Sequence, residues 1–329
     1  MQMIYTNPFV DRLNQLGERG DEDAKSFLRK YNAAADYLPK YFEYINSACP
    51  YFTNHGERHI ASVIRAASLM LAGHLDDSSK AKLSAFEIFM LLMAILSHDA
   101  GMVLERKGHN EVVSKILDEI RLTAIGDVTC QRYLQEMIKA HTGKNTLRSL
   151  KLLLDYHHHV LYQSAFAAIL RFADEISEDS TRISLPVLAS GKVPEDQQIY
   201  WYYAKAVSAS KPDPQRERVA MTISLDKTEA IRTFPHPDRK GEQVSLIKYI
   251  LERIEKVYNE KAYCAPYFSR FLTIKSIYVH FTLCNGSSAI DGYDEEIDFP
   301  EIDMPHAAIA DSFFAEHHKW DPSEIEKLT

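Results

Sequence analysis

The stretch Ser84–Met102, SAFEIFMLLMAILSHDAGM, decides the fold. From Phe86 to Leu96 it is apolar almost all round, then stops abruptly at His98–Asp99 and Gly101. A helix without a polar face belongs in the centre of a helical protein. The apolar run is too short to cross a bilayer, which takes about 20 residues, so we expect a buried core helix and no membrane partner.

Working outward, the neighbouring segments repeat the helical period. HIASVIRAASLMLAGHL places Ile60, Val63, Ile64, Ala67, Leu71 and Leu75 on one stripe. LYQSAFAAILRFADEIS is helical, with small residues that allow close packing, and ends at the breakers of SEDSTRISLP. Further helices are expected from His109 to Leu122 and from Gln131 to Ala140. Upstream, apolar residues recur at helical intervals from Pro8 to Arg29, with Asp21 as a cap, and a Tyr- and Phe-rich segment from Tyr31 to Tyr51 is punctuated by Pro50.

Beyond Pro186 the texture changes. IYWYYAKAVSAS reads as a strand, and RVAMTISLD, after the turn-forming KPDPQRE, alternates as its hairpin partner. QVSLIKYILERIEKVYNE (Gln243–Glu260) is an amphipathic helix and IKSIYVHFTLC another strand. The expected organisation is a helical domain with an N-terminal extension over 1–185, a small β-β-α-β domain over 186–290, and an acidic tail over 291–329, extended or loosely packed.

Composition narrows the class. A net charge of −8 disfavours a protein that coats extended nucleic acid, because phosphate binding needs a concentrated basic surface. Cys49, Cys130, Cys264 and Cys284 form no C-x-x-C pair, so reduced thiols are expected rather than a zinc ribbon. The first 26 residues lack the basic start and apolar run of a signal peptide, and we expect a cytoplasmic location.

Histidine and aspartate at the polar ends of apolar helices need a reason, since burying a polar group unpaired costs roughly 2–7 kcal/mol. A divalent cation supplies one, because imidazole and carboxylate both ligate such ions. His59 opens one helix, His98–Asp99 closes the most apolar one, and Asp174 lies on the third.

These positions carry a resemblance. HGERHIASV (His55–Val63), LLMAILSHDAGM (Leu91–Met102) and AILRFADEI (Ala168–Ile176) resemble the motifs of the HD-domain superfamily of metal-dependent phosphohydrolases, over roughly Tyr51 to Arg182. The resemblance implies a mainly α fold: an HD-type helical bundle, followed here by the small α+β region. It implies His59, His98, Asp99 and Asp174 as metal ligands, with Mn, Fe, Co, Ni, Zn or Mg as the divalent metal, one ion or two. Two-metal relatives carry extra histidines between the HD pair and the last acid. His109 and His141 are the corresponding candidates for a second ion or a phosphate contact.

Asp99 would orient or deprotonate the attacking water, and His109 or His141 would stabilise charge or protonate the leaving oxygen. Arg58, Lys144 and Arg182 are phosphate-binding candidates, with an ordinary surface cation as the competing reading for each. The triplet His157–His158–His159 is read as a solvated helix start, and His55 as a partner behind the ligands or a loop histidine beside Gly56. HGERH is not a zinc-protease motif, because Gly56 stands where the catalytic Glu would follow the first His. No G-Y-P element follows the HD pair, and no paired acids: Ala100, Gly101 and Met102 occupy those places. Cyclic dinucleotide and alarmone substrates are therefore disfavoured.

The expectation is a phosphohydrolase or phosphodiesterase acting on a nucleotide or other small phosphate ester. The alternatives are a single-stranded nucleic-acid nuclease, and a nucleotide-binding sensor or scaffold without turnover. The C-terminal region is the candidate surface for self-association or a protein partner.

Overall fold

A computed structural model describes residues 2–48, 51–105, 108–144, 146–299 and 309–328. Helices of two turns or more are numbered in chain order: α1 Pro8–Glu18, α2 Glu22–Tyr37, α3 Pro39–Ala48, α4 Glu57–Met70, α5 Ala85–Ser97, α6 His109–Ile120, α7 Val128–Lys139, α8 Gln163–Glu175, α9 Glu195–Ala206, α10 Leu246–Phe268 and α11 Ile309–Glu316. The strands are β1 Leu154–Tyr156, β2 His159–Leu161, β3 Val207–Asp213, β4 Arg218–Asp226, β5 Thr233–Pro235, β6 Gln243–Ser245, β7 Ser276–Asn285 and β8 Ser288–Phe299. The chain is mainly α, with a small sheet-containing C-terminal region.

Two compact units divide the chain. The first comprises Met1–Pro50, Asn54–Ser177 and Tyr263–Thr273; the second comprises Tyr51–Thr53, Glu178–Ala262 and Ile274–Thr329.

In the first unit, every residue of α5 is buried. Its start is fixed by a reciprocal cap: Ser84 Oγ accepts from the Glu87 N–H, and Glu87 Oε2 accepts from the Ser84 N–H. Ala85–Val103 has the length and apolarity of a membrane span, but 94% of its most apolar window is buried by the protein itself. The capping role expected of Asp21 is met, its carboxylate accepting from the Ala24 N–H at 2.9 Å. The helix expected from His109 ends at Ile120 in a π-turn, Arg121–Ile125. The one expected from Gln131 begins earlier, at Val128, where Asp127 accepts from the Cys130 N–H at 2.9 Å.

In the second unit the sheet order is β3-β4-β7-β8. β3 and β4 form the expected antiparallel hairpin, whereas β4 and β7 run parallel, Met221 opposite Val279. A parallel pair needs a long crossover, and the segment containing α10 provides it. Along β4 and β7, Val219, Met221, Ile223 and Leu225 alternate with exposed or half-buried residues, as do Ile277, Val279, Phe281 and Leu283. One face of the sheet is therefore the apolar one.

Three elements correct the sequence reading. IYWYYAKAVSAS is helical through Ala206, and the strand starts only at Val207. Aromatics favour strands on average, but Ile199, Tyr203 and Ala206 make a helical buried stripe, and packing overrides propensity. Tyr200 and Tyr202 on other faces hide that stripe in the sequence. In Gln243–Glu260 the first three residues are strand β6, and the helix starts at Leu246 and runs on to Phe268.

Within the expected tail, Ser288–Phe299 is β8, paired antiparallel with β7. Its alternation was masked by acids: Asp294, Glu296 and Asp298 are exposed, while Tyr293, Glu295, Ile297 and Phe299 are half-buried. Further along, Phe313 and Trp320 pack on Phe281, and Trp320 Nε1 donates to Glu295 Oε2 at 2.7 Å. Residues 300–308 of that tail, together with Pro50 and Cys49, lie outside the described residues. The other cysteines, Cys130, Cys264 and Cys284, form no disulfide among the described residues.

Candidate metal centre

Four segments of the first unit converge on one polar cluster. His59 lies in the first turn of α4 and His98–Asp99 directly follows α5. His109 is the first residue of α6, and Asp174 sits in the last turn of α8. His141 joins them from the turn after α7. Each lies at or just beyond a helix end, where some backbone groups lack intrahelical partners.

The distances divide the cluster into two lobes. In the first, His59 Nε2 stands 3.0 Å from Asp174 Oδ1, and His98 Nε2 stands 3.3 Å from Asp99 Oδ2 and 3.7 Å from Asp174 Oδ1. In the second, His109 Nε2 is 3.4 Å from Asp99 Oδ1 and 3.2 Å from His141 Nε2. Asp99 thus turns one oxygen to each lobe. Ligands held at about 2.0–2.2 Å from one ion lie roughly 3.0–3.6 Å from each other, and the separations here run from 3.0 to 3.7 Å.

The tautomers fit as well. His98 Nδ1–H donates to the Ile95 carbonyl at 2.8 Å, and His141 Nδ1–H to the Ile138 carbonyl at 2.5 Å. Each bond turns Nε2 toward the cluster, the usual device for orienting a ligating imidazole. His98 is fully buried, and its Nε2 makes no hydrogen bond. A buried Nε2 left without a hydrogen-bond partner between two carboxylates calls for a cation, a proton in the metal-free protein and a divalent ion when one binds.

Electrostatics point the same way. Burial works against charge on His98, but Asp99 and Asp174 outweigh it and hold the imidazole protonated well above its usual range. Burial works against charge on Asp99 too, yet His98 and His55 keep its carboxyl well below the normal value. His141 is pushed down to about 4 by burial and by the neighbouring His98 charge, so it is neutral at physiological pH.

A proton-release prediction follows. A cation entering the first lobe displaces the His98 proton, so loading at pH 7 should release about one proton per chain, and affinity should rise with pH. Calorimetry in two buffers of different ionisation enthalpy reads this directly. Equal heats in both would contradict the protonated His98.

His55 Nδ1 lies 2.9 Å from Asp99 Oδ2, so it touches the centre from the loop before α4. Arg58 and Lys144 are exposed beside the two ends of the cluster's sequence segments. Arg182 is buried in the second unit, its guanidinium 3.2 Å from the half-buried Glu178 Oε1, so it is a paired cation rather than the ordinary surface cation weighed for it. The histidine triplet is a correction: it turns the β1–β2 hairpin instead of starting a helix, with His157 at φ 54°.

The sequence reading gave no role to Arg171, one turn before Asp174. Its buried guanidinium donates to the Gly143 carbonyl at 2.7 Å and to Thr146 Oγ1 at 3.2 Å. It thereby pins the loop that follows His141. Its signal was the lone cation inside the apolar run AAILRFA. Replacing Arg171 by Leu should cost on the order of 2–3 kcal/mol, the worth of a charged hydrogen bond left unmade in the interior. An unchanged denaturant midpoint would contradict that role.

A helical core presenting an H…HD…D set in this geometry is an HD-type domain. The HD-CE family model matches residues 49–256, more than half of the chain, and the chain belongs to that family. The match extends past the motifs into the second unit, through β6 and the first half of α10. No curated protein and no solved structure matches the chain.

Proposed function

We propose that this protein is a metal-dependent phosphohydrolase or phosphodiesterase acting on a nucleotide or other small phosphate ester, with two ions in its centre. The observation that carries the reading is Asp99, whose two oxygens separate a His59–His98–Asp174 set from a His109–His141 set.

When bound, the ions supply Lewis acidity toward a phosphoryl oxygen and toward the attacking water, whose pKa falls toward about 7. The chain does the rest. His59, His98 and Asp174 hold the first position, and His109 with His141 holds the second. Asp99 Oδ2 accepts from His55, which fixes the carboxylate plane and leaves Oδ1 directed at the second lobe. His141, being neutral and buried, fits a ligand better than a proton donor. His109 is more open than His141. The exposed Arg58 and Lys144 are suited to substrate phosphates. The acidic net charge favours a small substrate over long nucleic acid.

The test combines metal analysis with a substrate screen. Purified protein should carry about one or two transition-metal ions per chain. Nucleotides, cyclic dinucleotides and single-stranded DNA should be assayed with Mn, Fe, Co, Ni, Zn and Mg, with turnover expected on a small ester. Protein that holds none of these metals would sink the proposal, and turnover confined to single-stranded DNA would shift it to a nuclease.

A further inference from the structure

We infer that the β1–β2 hairpin carries a second, separate metal site, in which Asp23, His158 and His159 bind a divalent transition ion that prefers imidazole ligands, such as zinc. The three donor atoms lie within 4.8 Å of one another. His158 Nε2 is 2.7 Å and His159 Nε2 3.5 Å from the same oxygen, Asp23 Oδ2.

Successive residues of an extended strand send their side chains to opposite faces, yet these two neighbours reach one carboxylate. The turn makes this possible. His157 takes φ 54°, a left-handed conformation that costs a non-glycine residue about 1 kcal/mol or more. His157 itself turns away, its Nε2 3.4 Å from Asp127 Oδ2.

The site is partly preorganised. The His159 ring stacks on Phe86 with centroids 5.1 Å apart and meets Phe27 edge-on at 5.3 Å. That clamp fixes the ring while its Nε2 faces Asp23. Asp23 is not needed to cap α2, since Asp21 does that. His158 and Asp23 are exposed enough to adjust around an ion and to leave one position open to water, as three-ligand zinc sites do. Strands of three residues are marginal by themselves. An ion here ties the hairpin to α2, two residues upstream of the helix that carries Asp174.

The experiment is a zinc titration of chelator-stripped full-length protein by calorimetry, with thermal melting in parallel. Wild type, H158Q, D23N and D99N are compared, and circular dichroism verifies their helix content. One zinc-binding event should weaken by more than about tenfold in H158Q and in D23N while persisting in D99N. Zinc should also raise the melting temperature of D99N but raise that of H158Q less than that of wild type. Superimposable isotherms for wild type and H158Q would overturn the inference. So would D99N abolishing every zinc event. Failure of the Asp99 centre alone would leave the hairpin event in place, so the two sites are tested independently.

Discussion

Exchanging Asp99 for asparagine should empty both lobes of ions and abolish turnover together. Asp99 has one oxygen 3.3 Å from His98 Nε2 and 3.6 Å from His59 Nε2, and the other 3.4 Å from His109 Nε2. Asparagine keeps the shape but removes the charge, and its amide offers N–H donors to one lobe where a lone pair is required. Two carboxylates balance the imidazoles of the cluster, and the variant leaves only Asp174. Loss of the Lewis acid withdraws several kcal/mol of transition-state stabilisation, a rate loss on the order of 10³-fold or more. Metal content reads the first half of the result with no substrate in hand. Asp174→Asn should by contrast empty the first lobe and spare the second, because Asp174 lies near His59 and His98. Helix content should stay at the wild-type level in both variants. A D99N protein that retains two ions per chain would remove Asp99 from its position between the lobes.

The first lobe was legible in the sequence because each member interrupts an apolar pattern. His98–Asp99 ends a helix with no polar face, and Asp174 follows ILRFA; such placements demand a partner wherever the chain folds. The second lobe was legible only as candidates. That His109 and His141 approach to 3.2 Å depends on how α6 and α7 pack, which no local pattern records. Arg171 escaped notice because its partners lie more than twenty residues away, the Gly143 carbonyl among them, and are invisible to motif spacing. In the second unit two of the misread elements share one cause. Aromatic residues on several faces of α9 and acids along β8 obscured the periodicity that burial obeys.

Gly101→Ala should dislodge the second lobe while leaving the first in place. A Cβ at Gly101 would stand 2.0 Å from the His109 carbonyl oxygen and 3.2 Å from the Val113 N–H nitrogen. Both neighbours are backbone, so no side-chain rotation relieves the clash. The glycine is required for space, since its φ is not in the left-handed region. The first turn of α6 must therefore retreat by about 1 Å or more to reach van der Waals contact, and His109 retreats with it. The cost of such overpacking is about 1–3 kcal/mol. A misplacement of that size costs a catalytic site roughly 100-fold in rate. The expected result is the loss of one ion from the centre, a lowered melting temperature and a rate reduced to that degree. His109→Ala separates the two consequences, because it removes the ligand without the clash and should lose the ion at little cost in stability. If G101A keeps both ions of the centre and the wild-type melting temperature, then the close approach of Gly101 to α6 is not what places His109 opposite Asp99.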